Sequence, residues 1–511
     1  MMLKEIIAEH YPDAEFDILT PPDPKLGDYS VNLAFSIAKK EKAKPLEIAR
    51  ELAKIFSESP YFEKVEVAPP GFVNFFLKIE FLQEQLENIS RDKNYGSSDI
   101  GKGKKIIVEY SAPNIAKPMH VGHLRSTIIG DALANVYETL GYSVVRWNYL
   151  GDWGTQFGKL IAAYKLWGDK KAVEKNPIGS MLELYVRFHE ELKEKPELEK
   201  EGQEEFKKLE EGDEENKKLW AWFREESLKE FQKMYDILGI KFDITVGEST
   251  YASELEPLID RLKEEKYIQE SQGALIFDLK NFGLPPALMR KSDGSSLYHT
   301  RDLASLRHRV KDFRPDKILY VVSNQQTLYL QQLFAIAKIL RFTEAELIHV
   351  KYGLVLNEEG KKLSTREGDA IPLEEVMDKT LELALSTVKQ KNPELSETEA
   401  EKIAKAVSIG ALKYNDLKQH PYTDIIFNWE AMLDFTGNSG PYLQYTHARL
   451  ASILKKVGKT TKGKAAHLNE PEERVVMKQL LDFPEAIERS AKFQTLNGLA
   501  LYLYELSNSI N

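Results

Sequence analysis

A chain of 511 residues with 42% apolar content holds enough material for two to four globular domains, and its net charge of −10 argues weakly against nucleic acid, since patches outweigh totals. With no cysteine it forms neither disulfides nor thiolate metal sites, which excludes zinc ribbons and iron–sulfur clusters. No apolar run approaches the roughly 20 residues needed to span a bilayer, and Met1–Phe16 reads as neither signal nor transit peptide, so the expected location is the cytoplasm.

Residues 1–97 read as a small α/β unit. Helical periodicity covers Val31–Lys40 and Pro45–Ser57, and a strand-like stretch, Val65–Leu77, is broken by Pro69-Pro70-Gly71. Asn74 interrupts that apolar stretch and reads as an edge-strand residue facing water. Gly96-Ser97-Ser98 reads as a linker.

The next segment organises the chain. A β-branched strand, Lys105–Val108, runs into S-A-P-N-I-A-K-P-M-H-V-G-H-L-R, Ser111–Arg125. A helix follows, with Ile128, Ile129, Ala132, Leu133, Val136, Tyr137 and Leu140 on its apolar stripe and Gly141 as its stop. His120 and His123 therefore flank Gly122 at a strand-to-helix turn, where free N–H groups and the helix dipole suit phosphate. Two other readings of the pair are capping or packing histidines and an incomplete metal pair; no cysteine or third ligand accompanies them. Ser143–Leu150 completes a βαβ unit, and its exit, Gly151-Asp152-Trp153-Gly154-Thr155-Gln156-Phe157-Gly158, reads either as close backbone approach to a ligand or as a tight strand-to-helix connection.

Residues 165–239 are charged and helical and read as a solvated insertion. Core-like sequence resumes near Ile240: a strand at Gly273–Asp278, a hairpin-type turn at Arg290–Ser295, a helix opened by Tyr298-His299-Thr300-Arg301-Asp302, a strand at Lys317–Val322, the loop Ser323–Gln326, a helix at Leu328–Leu340 and a strand at His349–Leu356. Two βαβ halves predict a doubly wound Rossmann sheet with ligands at the carboxyl ends of its strands, where the histidine turn and Ser323–Gln326 both lie. Basic clusters stand at Lys102–Lys105, at Arg301–Lys311 and at Lys455–Lys464; the plain reading of each is a solvated face. The loop Gly360–Asp369 carries Lys361, Lys362 and Arg366, a set suited to polyphosphate. From Pro372 the pattern is helical to the end. The expected divisions are 1–97, 98–371 and 372–511: an N-terminal α/β domain, a Rossmann catalytic domain carrying the insertion, and an all-α bundle.

His120-Val121-Gly122-His123 resembles the HIGH signature of class I aminoacyl-tRNA synthetases, and Lys362-Leu363-Ser364-Thr365-Arg366 resembles their KMSKS loop. The text around them, with N-Y-L-G-D-W-G-T-Q-F-G, L-Y-H-T-R-D, D-F-T-G-N-S-G-P-Y-L-Q-Y-T-H-A-R and the early L-G-D-Y-S-V-N-L-A, is similar to arginyl-tRNA synthetases over nearly the whole chain. The resemblance implies ATP-dependent formation of arginyl-adenylate, then transfer of arginine to the 3′ end of tRNA(Arg), with Mg²⁺ arriving on ATP, no zinc, no membrane and a monomer. It implies ATP contacts by His120, Gly122, His123, Lys362, Leu363, Ser364 and Thr365. Arginine contacts follow for Glu109, Ala112, Pro113, Asn114, His123, Tyr298, Asp302 and Gln326, with Asp302 as the guanidinium partner. tRNA contacts are implied for Asn74 in the N-terminal domain and for Tyr442, Gln444, Tyr445 and Arg449 in a stem-contact and anticodon-binding domain; core packing is expected of at least one of those tyrosines.

Two departures stand out. The second signature lysine is Thr365, so the missing charge is expected from Lys117, three residues before His120, with Arg366 as the alternative. The family normally continues past L-S-N-S-I-N, so the chain is expected to be either a truncated or a natural short form, which puts anticodon binding in question. The competing readings are a small-molecule nucleotidyltransferase, which leaves the flanking domains without a role, and a catalytically silent RNA-binding relative, against which His120, His123, Lys362 and Asp302 all stand.

Overall fold

The computed structural model describes residues 2–21, 23–290, 298–357, 359–361, 371–458 and 464–511. The chain forms two compact units, one made of 1–97, 446–489 and 501–511, the other of 98–445 and 490–500.

In the first unit, α1 (Met2–His10), β1 (Ile18–Leu19), β2 (Tyr29–Val31), α2 (Leu33–Glu41), α3 (Pro45–Phe56), β3 (Phe62–Ala68), β4 (Phe72–Leu77) and α4 (Ile79–Arg91) surround an antiparallel sheet ordered β1-β2-β4-β3. Val31 closes a strand rather than opening the helix predicted there. The order makes β4 an interior strand. Asn74 is therefore buried, accepting from Ser30 Oγ at 2.7 Å, which corrects the edge-strand reading and removes the exposure that an RNA contact needs.

In the second unit, β5 (Lys105–Glu109), α5 (Val121–Thr139), β6 (Ser143–Leu150) and α6 (Thr155–Trp167) precede the insertion helices α7 (Lys170–Lys175), α8 (Pro177–Glu194), α9 (Glu197–Glu211) and α10 (Glu214–Leu238). Then come β7 (Ile244–Gly247), α11 (Leu255–Glu264), β8 (Ile268–Ser271), β9 (Ala274–Phe277), β10 (Ala287–Arg290), α12 (Tyr298–Phe313), β11 (Lys317–Ser323), α13 (Thr327–Ile339) and β12 (Glu346–Tyr352). The main sheet is parallel throughout and ordered β12-β11-β5-β6-β7. Strand order reverses between β5 and β11, so their exits define the crevice of a doubly wound fold. Ile106, Ile107 and Val108 are fully buried, as a central parallel strand requires, each contributing about 1.5–3 kcal/mol of burial. Segment 268–290 departs from the sequence reading: β8–β10 form a separate antiparallel sheet.

The insertion has its own core, with Leu198, Phe206, Leu209 and Phe223 against Leu160 and Ile161. Its close approach explains Gly158, where a Cβ would lie 2.1 Å from the Gly202 carbonyl oxygen. Beyond β12, β13 (Val355–Leu356) pairs in parallel with β14 (Ile425–Ile426), the strand missed in a region read as wholly helical. The helices there are α14 (Leu373–Lys391), α15 (Glu397–Leu417), α16 (Trp429–Met432), α17 (Gly440–Val457), α18 (Pro471–Phe493) and α19 (Asn497–Ile510). The expected boundary at 372 is not where the compact units divide, because α14 and α15 pack on α5. Among the described residues no helix is long and apolar enough to cross a membrane.

Candidate active site

The turn between β5 and α5 is built from unusual backbone. Ser111, Ala112 and Ala116 have φ of 72°, 48° and 61°, a region that side chains disfavour and that a folded framework must hold. Buried polar side chains hold it. Ser111 N–H donates to Ser126 Oγ at 3.0 Å, Ala112 N–H to Asn148 Oδ1 at 3.2 Å and Ala116 N–H to Ser227 Oγ at 2.9 Å. Ser126 Oγ in turn donates to the Val321 carbonyl at 2.7 Å, tying the β5 exit to β11 across the crevice. These supports were not singled out in the sequence, although Asn148 lies within one of the quoted motifs.

His120 is the N-cap of α5. Its Nδ1 accepts from Gly122 N–H at 3.1 Å, and His123 Nδ1 accepts from His120 N–H at 3.1 Å, so the two rings form a reciprocal capping box. Capping and chemistry are compatible here. A lone pair committed at each Nδ1 assigns the proton of a neutral ring to Nε2, making both imidazoles N–H donors. Burial, and then His120, pushes His123 down to about 3, so it is neutral at physiological pH. Gly122 is required by the capping ring, since a Cβ there would lie 2.9 Å from His120 Cε1.

These groups line a cleft of about 260 Å³ with Ser111, Ala112, Arg125, Ser126, Ser323, Gln325, Gln326 and Tyr352–Val355. Both predicted strand exits meet in it. Lys362, Leu363, Ser364, Thr365 and Arg366 lie outside the described residues, as does the predicted turn at 291–295. The segments flanking the Lys362 loop are at the cleft, however: Gly353–Val355 line it, and Ile371 accepts from Val121 N–H at 3.2 Å while Leu373 N–H donates to Met119 at 2.8 Å.

Next to the cleft along β5 lies an acid cluster. Glu109 ends the strand and pairs with Arg309 of α12, whose buried guanidinium stands 4.7, 5.2 and 5.5 Å from the rings of Trp147, Tyr149 and Tyr320. Asp302, on the same helix stripe, accepts from Tyr329 Oη. Burial and then the Glu109 charge raise Asp302 to about 7, against the Tyr329 hydrogen bond and the guanidiniums of Arg309 and Arg301. Glu248, paired with Arg301, is also raised to about 7, mainly by burial. Glu109, Asp302 and Glu248 thus face two guanidiniums, with Glu210 adding a carboxylate near Arg301. Two residues of the supposed solvated cluster, Arg301 and Arg309, are buried counter-ions; Arg307 and Lys311 are exposed as expected. Three carboxyl groups thus accompany two guanidiniums, and because Asp302 and Glu248 are each raised to about 7 an incoming cation would meet groups that it can ionise.

The remaining sites are placed as follows. Gln326 caps α13 at the cleft, and Asn114 sits against Gly151, whose N–H donates to the Pro113 carbonyl at 3.1 Å. Tyr298 begins α12 and is described through its backbone alone. Lys117 is outside the cleft lining, its ammonium 5.0 Å from the centre of the Tyr185 ring. Asp152 is fully buried, accepting from Arg224 Nε at 3.0 Å and from Ser249 N–H and Oγ at 2.9 Å each. Asp152 thereby anchors the glycine-rich exit loop as a tight strand-to-helix connection. Tyr442 is buried and Gln444 donates to the Ala406 carbonyl at 2.9 Å, which commits both to packing, whereas Tyr445 and Arg449 are exposed. Among the described residues no three His, Asp or Glu side chains are grouped as metal ligands.

Three family descriptions match the chain: "tRNA synthetases class I (R), catalytic domain" over residues 85–429, "Arginyl tRNA synthetase N terminal domain" over 2–77 and "DALR anticodon binding domain" over 443–511. An arginine–tRNA ligase of Bacillus cereus is 44% identical over 97% of this chain and 87% of its own, and one of Halothermothrix orenii is 41% identical over 100% and 90%. The crystal structure of arginyl-tRNA synthetase from Plasmodium falciparum superposes with a TM-score of 0.82 at 28% identity, covering 99% of this chain and 90% of that one. The Thermus thermophilus arginyl-tRNA synthetase gives 0.85 at 26%, covering 100% and 90%. With its cleft at the sheet's switch point and these matches along its length, the chain belongs to the class I arginyl-tRNA synthetases.

Proposed function

We infer that the protein is an arginine–tRNA ligase whose cleft and acid cluster divide the recognition of its two small substrates. The reaction activates L-arginine with ATP and transfers it to tRNA(Arg). The arginine carboxylate attacks the α-phosphorus, pyrophosphate leaves, and a ribose hydroxyl of the tRNA then displaces AMP from the adenylate. Placement and charge stabilisation carry both steps. Mg²⁺ enters on the phosphate oxygens of ATP.

His120 and His123 donate from Nε2 to ATP, and His123 with Asn114 also borders the arginine end. The α5 N-terminus adds its dipole, with Gly122 leaving room for the ring that caps it. Ala112 and Pro113 shape the floor beside Asn114. Lys362 neutralises pyrophosphate, with Leu363, Ser364 and Thr365 against the nucleotide. Lys117 supplies the charge that Thr365 lacks, which requires it to leave the Tyr185 ring; Arg366 is the alternative source. Asp302 takes the arginine guanidinium, Glu109 adds the second negative charge, and Tyr298 and Gln326 close the pocket. Residues 1–97 and the helices from Tyr442 onward contact tRNA through exposed groups such as Tyr445 and Arg449. The working form is a cytoplasmic monomer.

The observation that carries this reading is the carboxyl cluster of Glu109, Asp302 and Glu248 beside a cleft lined by two capping histidines, of which His123 is neutral. Arginine-dependent ATP–pyrophosphate exchange tests it. Exchange is expected with tRNA(Arg) present, and Asp302→Asn should raise the arginine KM about tenfold or more with a smaller change in the ATP KM. An unaltered arginine KM removes Asp302 from the pocket. Exchange at full rate without tRNA removes the expected tRNA requirement.

A further inference from the structure

Arg125 lies five residues beyond His120 on α5 and is 1% exposed. Its Nε donates to the two carboxylate oxygens of Asp416, at the end of α15, at 3.1 and 3.3 Å. Nη1 donates to the carbonyls of Gly353 at 2.7 Å and Thr423 at 3.3 Å, and Nη2 to that of Pro421 at 3.4 Å. The Tyr352 ring lies 5.7 Å from the guanidinium. Nothing in the proposed chemistry uses this group, although it lines the cleft.

The partners belong to three segments. Gly353 is the exit of β12, from which the chain reaches Lys362 nine residues later. Pro421 and Thr423 lie in the connection that follows α15, where Gly353 N–H also donates to the Pro421 carbonyl at 2.9 Å. The third segment is the Asp416 end of α15, while Arg125 itself stands on the histidine helix. No slack exists at the junction: a Cβ on Gly353 would lie 2.4 Å from the Thr423 carbonyl oxygen. A planar fork with five N–H groups can address a carboxylate and diverging carbonyls together, which a lysine ammonium cannot. A buried ion pair adds little net stability over well-packed apolar side chains, so what this one adds is a fixed relation among its partners.

We propose that Arg125 is a positioning residue for adenylate formation: it sets the histidine helix, the β12 exit that leads to Lys362 and the Asp416 end of α15 in one register. Displacement of α15 is thereby conveyed to the histidine helix and to the β12 exit. The proposal rests on the role given above to Lys362, and the test separates the two.

The test is a double-mutant cycle on arginine-dependent ATP–pyrophosphate exchange with tRNA(Arg) present. Arg125→Lys is expected to lower kcat about tenfold or more while the arginine KM stays within about twofold, because the acid cluster does not touch it. Combined with Lys362→Ala, the loss should fall well short of the product of the single losses, since a misplaced loop has already forfeited its lysine. Asp416→Asn keeps the shape, removes the charge and should couple to Lys362→Ala in the same way; it carries the cycle should Arg125→Lys fail to fold. A lowered thermal midpoint with kcat intact, or losses that multiply, overturns the proposal by leaving a structural role alone. If Lys362→Ala by itself leaves the rate unchanged, the reading of the loop fails instead. Arg125→Lys must then still lower kcat at constant arginine KM for the positioning role to stand.

Discussion

Lowering the pH from 8 to 6 should weaken arginine binding about tenfold, and the cause is a single carboxyl group. Asp302 is raised from an ordinary value of 3.8 to about 7, first by burial and then by Glu109, with Tyr329, Arg309 and Arg301 opposing. An incoming guanidinium favours the ionised form, so the bound state holds this proton far less tightly than the free state. Affinity should therefore be flat above pH 8 and fall by a factor approaching ten per unit below 7, ~1.4 kcal/mol per unit. Calorimetric titration of L-arginine in two buffers of different ionisation heat counts the protons: about one released at pH 6 and almost none at pH 8. Asp302→Asn should abolish both the release and the pH dependence. In the arginine-free protein the sign is opposite to that of a salt-bridged carboxylate. Asp302 binds its proton more tightly folded than unfolded, so its stabilising contribution is present below about pH 4 and is lost as pH rises through about 7. Equal proton release at pH 6 and 8 refutes this account. A pH dependence that survives in Asp302→Asn reassigns it to Glu248, which burial raises to the same region.

Gly122→Ala should lower kcat about tenfold or more with little change in thermal midpoint, because the new methyl displaces the His120 ring rather than core atoms; steady-state exchange together with thermal unfolding distinguishes this from misfolding. Asp152→Ala should cost about 3 kcal/mol of stability in urea unfolding, since it strands the Arg224 and Ser249 donors that meet a fully buried carboxylate. Lys117→Met should cut single-turnover adenylate formation about tenfold, and an unchanged rate transfers the missing charge to Arg366.

What was legible in the sequence was local. Ile106-Ile107-Val108 announces a central strand, the stripe from Ile128 to Leu140 announces its helix, and two histidines three apart at that junction mark the cleft without reference to any distant residue. What was not legible depends on partners remote in the chain. Arg301 and Arg309 read as a solvated basic face because Glu248 and Glu109, which draw them inside, lie on other elements. A closer signal existed: Asp302, Ser305 and Arg309 fall at helical spacing on one stripe of α12, a polar stripe on a helix that also buries Leu303 and Leu306. Asn74 read as an edge residue because strand order is set by pairing with β2, far upstream. The capping role of the histidines was visible as an alternative to phosphate binding, and the Nδ1 contacts establish the capping.

On the proposed function, the same non-local charge balance is expected to govern which amino acid the acid cluster accepts. Citrulline has the planar donors of arginine without the charge, so Asp302 should keep its proton and citrulline should forgo the ion pair that arginine makes. Lysine has the charge but offers a single ammonium, which cannot satisfy Asp302 and Glu109 from opposite edges of a plane. Arg309 pairs with Glu109 from within, which leaves Asp302 as the acid proposed to meet the substrate. A pocket that held Asp302 alone would accept any cation of the right length. On the proposed reading the second acid, Glu109, is expected to favour a planar cation over a point charge.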